Sequence, residues 1–141
     1  GIEASVETMP KAVYFKRASR GGPDKSPEFS FMLLGWGAGS GEASSPLKAL
    51  LHTYDKSKGL GAANRGRHSD AEVDKLVKQA LATVDADARG ALLAKATEKA
   101  VGENYGVIPM HYQVNTWAAK AGYKYLPRTD ERTIVTGLSK N

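Results

Sequence analysis

The strongest constraint in this sequence lies between residues 69 and 106, where two apolar patterns of helical period follow one another across a short acidic break. Ser69-Asp70-Ala71-Glu72 has the spacing of a capping box, with Ser69 as the N-cap and Glu72 reaching back to its amide. Behind it Val73, Leu76, Val77, Ala80, Leu81 and Val84 recur on one face. Each large side chain of that face contributes ~1.5–3 kcal/mol when fully buried, so the helix is predicted to be tied to a core. Asp85-Ala86-Asp87 interrupts the pattern, and Ala88 to Asn104 resumes it with Leu92, Leu93, Ala96, Ala100 and Val101, after which Gly106 fits a C-cap. Two helices packed in succession are therefore expected. Asp85 and Asp87 sit between them, where capping and the helix dipole account for them better than a catalytic carboxylate pair does.

The flanking chain reads less regularly. Ile2, Ala4 and Val6 alternate with Glu3, Ser5 and Glu7, the period of a half-buried strand ending near Met9-Pro10. A strand opening at the first residue reads as part of a longer polypeptide. A short helix is expected over Ala12 to Ala18 after Pro10, and Gly21 to Pro27 is dense in turn formers. Phe29 to Leu34 has the pattern of a strand covered on both faces, and it runs into Gly35-Trp36-Gly37-Ala38-Gly39-Ser40-Gly41. A glycine at every second position lets a ligand approach the main chain closely. Pro46 to Tyr54 is expected to form a short helix, with a linker over Lys56 to Gly66. Val107 to Val114 reads as a strand in which Pro109 demands an edge or a bulge. From Asn115 to Asn141 the chain is polar, with isolated anchors at Trp117, Tyr123, Tyr125, Leu126, Ile134 and Val135 and a strand over Thr133 to Thr136.

With 141 residues, 41% of them hydrophobic and 25% charged, the chain can bury one core. Its longest apolar runs fall far short of the ~20 residues that a membrane-spanning helix needs. There is no cysteine, which excludes disulfides, thiolate metal sites and cysteine nucleophiles. The net charge of +5 invites a nucleic-acid reading, but the basic residues are scattered along the chain, so a solvated basic surface and no nucleic-acid partner are expected. His52, His68 and His111 offer no pair at i, i+4, and no metal site is expected of them. The glycine-rich loop matches neither dinucleotide nor P-loop fingerprint, since Glu42 stands where GxGxxG needs its third glycine and no Gly-Lys-Ser/Thr occurs. Neither GxSxG nor HExxH is present. Trp36 has two roles open to it: a core residue at the end of the Phe29 to Leu34 strand, or one wall of a ligand cleft at a strand's carboxyl end.

Four segments in order resemble one family. Phe29 to Leu34 followed by Gly35-Trp36 is similar to the "DFD..L.GW" strand of the oligopeptide- and dipeptide-binding proteins. Asn64-Arg65-Gly66-Arg67-His68-Ser69-Asp70-Ala71-Glu72-Val73-Asp74-Lys75-Leu76 is similar to their "N..+YSNPEVD.L" stretch, and Asp85 to Arg89 to their "D...R" helix start. Ile108-Pro109-Met110 resembles their "IPL" strand, with Trp117-Ala118 in place after it. The resemblance covers roughly residues 1 to 126. It implies an α/β chain that forms the C-terminal part of lobe II of a two-lobed, type II periplasmic-binding-protein-like fold, a short mixed sheet flanked by helices. Residues 1–114 would belong to lobe II, and 115–141 would return to lobe I.

The function so implied is that of the solute-binding component of an ABC importer, extracytoplasmic, without catalysis or cofactor, which hands a peptide or similar small solute to a membrane permease. A sensory domain reusing the fold without transport is the alternative, and a small-substrate hydrolase a more distant one. The ligand would meet Trp36 and the backbone of Gly37, Ala38 and Gly39, with Tyr112 nearby. Gly39 stands where peptide-binding members carry the Asp that pairs with the peptide's α-amino group, and a closed cleft without that counter-ion disfavours free-amine peptides. A tail deprived of lobe I is expected to be mobile or to pair with another copy through its unpaired strand, the latter under crystal conditions.

Overall fold

In a computed structural model describing residues 1 and 3–140, the chain is a small mixed α/β protein of four helices and a two-stranded antiparallel sheet. It divides into two compact units, Gly1–Ile108 and Pro109–Asn141.

The first unit is built on the predicted helix pair. Helix α1 spans Lys11–Arg20, with Pro10 just outside it as N-cap, and α2 is one short turn, Ser44–Pro46, that widens into a π-helical stretch, Leu47–Leu51. Helix α3 covers Ala71–Ala82, and α4 covers Ala86–Thr97 before it too widens, over Glu98–Glu103. Val73, Val77 and Ala80 of α3 meet Leu93, Ala96 and Ala100 of the second helix, and Leu47 and Leu51 complete the buried cluster. The helical period thus places its apolar residues as expected up to Ala80. Leu81, in the last turn of α3, and Val84, two residues beyond it, stay exposed.

The N-terminus of α3 differs from expectation by one residue. Asp70, not Ser69, is the N-cap, its Oδ1 accepting from the amides of Glu72 at 2.8 Å and Val73 at 2.9 Å. Ser69 is engaged elsewhere, its hydroxyl 2.9 Å from that of Thr53. Asp85 caps α4 through the amide of Ala88 at 2.8 Å. The second helix ends at Asn104, and the left-handed residue after it is Tyr105, with φ 50°. Gly106 is required for a different reason: a Cβ there would lie 2.6 Å from Leu51 and 2.8 Å from His68. It is a packing glycine.

Three expected strands are absent among the described residues. Residues 3–9 are coil with Val6 92% exposed, and Ile2 of that expected strand lies outside the described residues. Phe29 to Leu34 is also coil, held through α1 rather than through a ladder: Phe29 stacks on Tyr14 at 5.6 Å, and the Tyr14 hydroxyl donates to the Leu33 carbonyl at 2.7 Å. Phe31 and Leu33 point to solvent. Val107 to Val114 forms no strand either, Pro109 lacking the amide a ladder needs. The common cause is that an apolar pattern is half of a strand, and no partner strand is available to these segments among the described residues. The expected short mixed sheet flanked by helices is therefore not formed.

The second unit holds the sheet that does form. Strand β1, Tyr123–Tyr125, pairs antiparallel with β2, Leu138–Lys140, in the register Tyr123 to Lys140 and Tyr125 to Leu138. Thr133 to Thr136, expected as the strand, instead leads into a 3₁₀ turn, Val135–Gly137. Trp117 and Tyr125 pack with ring centroids 5.8 Å apart, and the Trp117 indole donates to Thr133 Oγ1 at 2.9 Å. Of the apolar tail residues, Trp117 and Tyr125 thus cover one another, whereas Leu126 and Val135 stay exposed.

The helix contact sets a clear order of sensitivity. Leu93→Ala is expected to cost ~2–5 kcal/mol in urea denaturation, because a buried leucine leaves a cavity. Leu81→Ala, on the exposed side of α3, is expected to cost under ~1 kcal/mol.

Candidate functional site

The loop singled out by its glycines is a loop. Gly35 to Ala38 is coil that turns at Gly39-Ser40, closed by the Gly41 amide donating to the Ala38 carbonyl at 2.9 Å. Gly41 has φ +74°, a left-handed conformation that a side chain disfavours. A Cβ added at Gly35, Gly37, Gly39 or Gly41 would meet no atom within 4 Å, so the backbone here is open to solvent on its side-chain face. Trp36 is 44% exposed, which sets aside the fully buried core role. Tyr112 lies in the second unit and is 101% exposed, on coil rather than on the expected strand.

Just after this loop, Glu42 is anchored to the helix pair. Its carboxylate accepts from the Ser44 hydroxyl and from Arg89 Nε of α4 at 3.1 Å. Ser44 first and Arg89 after it hold this carboxyl below its usual range. Glu42 also borders an open groove of about 600 Å³ along α4, lined by Ala86, Gly90, Leu93 and Ala94. A second groove, of about 570 Å³, lies in the second unit. Trp36, Gly37, Ala38, Gly39 and Tyr112 line neither of these two grooves.

The most ordered polar constellation involves residues that spacing did not reveal. Where the π-helical Leu47–Leu51 stretch ends, three successive carbonyls each accept from a side chain. Leu51 O faces His68 Nδ1 at 2.7 Å, His52 O accepts Asn64 Nδ2 at 3.0 Å, and Thr53 O faces His52 Nδ1 at 2.8 Å. A carbonyl only accepts, so Nδ1 is the protonated nitrogen of both rings. Asn64 spans the cluster: its amide also donates to His68 O at 2.7 Å, and its Oδ1 accepts the His68 amide at 3.0 Å. Asp74 Oδ1 takes the Thr53 amide at 2.8 Å and lies 3.3 Å from His52 Nδ1. Asn104, at the end of the second helix, donates to Asp70 Oδ2 at 2.9 Å. His52 is 2% exposed, and its Nε2 has no hydrogen-bond partner among the described residues.

This network fastens loop to helix. Among the described residues it contains no hydroxyl or thiol nucleophile bonded to either imidazole, and the Nδ1 of both rings is engaged by backbone carbonyls. Among the described residues no group of three or more His, Cys, Asp or Glu side chains is placed to hold a metal ion. The signal that could have found the network is the Asn64-x-x-x-His68 spacing, whose side-chain and main-chain bonds are local. The 15 residues between His52 and His68 hide their convergence.

Compared with family models, with curated proteins and with solved structures, the chain matches none of them.

The capping carboxylate gives the network a pH signature. The amide of Val73, followed by the Asn104 side chain, holds the Asp70 carboxyl below its usual range. The folded-state value is lower than the unfolded one, so this contribution is fully present above the ordinary aspartate range of about 4 and is lost as pH falls through the folded value. Asp70→Asn keeps a good N-cap but removes the titration. Stability measured by urea denaturation is therefore expected to fall less steeply below about pH 4 in the variant than in the wild type. Asn64→Ala, which strips partners from two backbone carbonyls and one amide, is expected to cost ~1–3 kcal/mol or more at every pH.

Proposed function

We propose that this chain is part of the solute-binding component of an ABC importer, which captures a small solute outside the cytoplasmic membrane and delivers it to a permease without chemical change. The ordered resemblance of four segments to the peptide-binding family supports this reading. The observation that carries it is the Gly35 to Gly41 loop, whose glycines have no atom within 4 Å of a Cβ position beside a Trp36 that is 44% exposed. Bare backbone next to an exposed aromatic ring suits recognition by main-chain hydrogen bonds and stacking. Nothing in that loop offers a nucleophile or a general base except the Ser40 hydroxyl, which has no basic side chain bonded to it among the described residues.

In this reading the two-lobed arrangement is completed by sequence outside these 141 residues, and Trp36, Gly37, Ala38 and Gly39 contact the solute. Gly39 in place of the family's carboxylate weakens recognition of a free α-amino group. Glu42 is a poor substitute as it stands, since Arg89 already neutralises it. The solute is then better matched by a blocked or non-peptidic molecule than by a free-amine peptide.

Native mass spectrometry of the full-length polypeptide, purified without refolding, is expected to show a retained small solute. Re-adding the extracted solute is expected to change tryptophan emission in the wild type, and Trp36→Phe is expected to lose that change. Absence of a retained solute together with no Trp36-dependent response to a peptide panel would overturn the proposal. Gly39→Asp is expected to improve binding of free-amine peptides over their N-acetylated forms by calorimetry, and equal responses would contradict the role given to that position.

A further inference from the structure

The second unit carries a site unrelated to the glycine-rich loop. Its groove of about 570 Å³ falls within the ~300–1,000 Å³ of small-molecule sites. The walls are apolar and aromatic: Trp117, Tyr123, Tyr125, Ile134, Val135 and Leu138. The sheet register explains how they assemble. Tyr123, Tyr125 and Leu138 share one face because Tyr125 pairs with Leu138 and side chains alternate along each strand, and Lys140, opposite Tyr123, shares that face. Thr133 fixes the edge of the Trp117 indole and Tyr125 packs against that ring at 5.8 Å, so the wall is held in place before any ligand arrives.

One charged residue lines the groove, Lys120. Neither Lys120 nor Lys140 makes an ion pair among the described residues. Pro109–Asn141 holds five Lys or Arg residues against Asp130 and Glu131, and Asp130 is paired with Arg128. An apolar groove lined by one ammonium group, that of Lys120, with no ion pair among the described residues, selects an apolar molecule with a single anionic end, its body against the rings and its charge toward Lys120.

We propose that the groove of the second unit binds a small apolar carboxylate, with Lys120 as its counter-ion and the Trp117–Tyr125 pair as its platform. This site is independent of the solute-binding reading of the Trp36 loop, and it stands or falls separately.

The test is a ¹H–¹⁵N correlation titration of the full chain with 4-phenylbutanoate and with its uncharged amide, following the Trp117 and Trp36 indole signals and the amides of Tyr123, Tyr125 and Leu138. Saturable shifts at Trp117 and the strands, with Trp36 unmoved, are expected. The carboxylate is expected to bind about fivefold more tightly than the amide, the size of one exposed ion pair, and Lys120→Gln is expected to remove that difference while the amide still binds. No saturable shift at Trp117, or equal affinities for acid and amide in the wild type, would overturn the proposal. So would shifts confined to Trp36, or binding of an acetylated Leu-Phe dipeptide with no binding of 4-phenylbutanoate, which would assign the groove to a peptide end. Concentration-dependent changes at Trp117 without ligand, coupled with a dimer in sedimentation, would assign it to a second copy of the chain and overturn it equally.

Discussion

The contact between α3 and α4 is the constraint on which the rest of the first unit depends. Its buried positions include three alanines, Ala80, Ala96 and Ala100, which let the helices approach closely while Val73, Val77 and Leu93 fill the remaining space. Side chains this small give each residue only a modest transfer term, so the pair needs a third surface. Leu47 and Leu51 supply it, and that is why a five-residue stretch too short to persist alone is helical here. The widened turns at Leu47–Leu51 and Glu98–Glu103 shift the carbonyls at the helix ends away from ordinary i→i+4 partners.

Those displaced carbonyls account for the polar network. A buried carbonyl without a donor is costly, and Leu51, His52 and Thr53 follow one another at the end of the π-helical stretch. Donors must therefore come from elsewhere, and they come from His68, Asn64 and His52 itself. Close approach has a steric consequence as well. Gly61 has φ +60°, and a Cβ on it would lie 2.4 Å from the His52 carbonyl, so only glycine lets the 60s loop fold back to deliver Asn64. The histidines are thus spent on architecture, and the exposed loop at Gly35 to Gly41 is left as the less committed surface of this unit.

What could be read in the sequence follows from the range of the interactions involved. The helix pair was legible because its periodicity, caps and acidic break lie within a few residues of one another. Even so, the N-cap was displaced from Ser69 to Asp70, because both can cap and Thr53, sixteen positions away, claims the Ser69 hydroxyl. The strands at 3–9, 29–34 and 107–114 were misread because neither alternation nor an apolar run shows whether a partner strand exists. Conversely, Tyr123–Tyr125 and Leu138–Lys140 are three residues each, too short for a pattern, and their approach is closed by the Leu126 amide donating to the Gly137 carbonyl at 2.9 Å, a bond between positions eleven apart in the sequence. The candidate loop was legible from its glycines, whereas Tyr112 was linked to it only through an expected strand that does not form.

Charge shows the same dependence on what is counted together. Along the whole sequence the basic residues look dispersed, and a net +5 over 141 residues is unremarkable. Divided by unit, fifteen basic residues face thirteen acidic ones in Gly1–Ile108, whereas five face two in the 33 residues from Pro109. Many charges of the first unit are matched across its contacts: Arg17 with Glu7 and Glu28, Arg89 with Glu42, Lys99 with Glu72 and Glu103. In the second unit the ion pair is Arg128 with Asp130, among the described residues. Screening confines electrostatic influence to ~8–10 Å at physiological ionic strength, so a ligand meets the local balance and not the net charge of the chain. An anion passing the first unit encounters these compensated pairs, whereas one reaching the Trp117–Tyr125 face encounters Lys120, without an ion pair among the described residues, beside apolar rings.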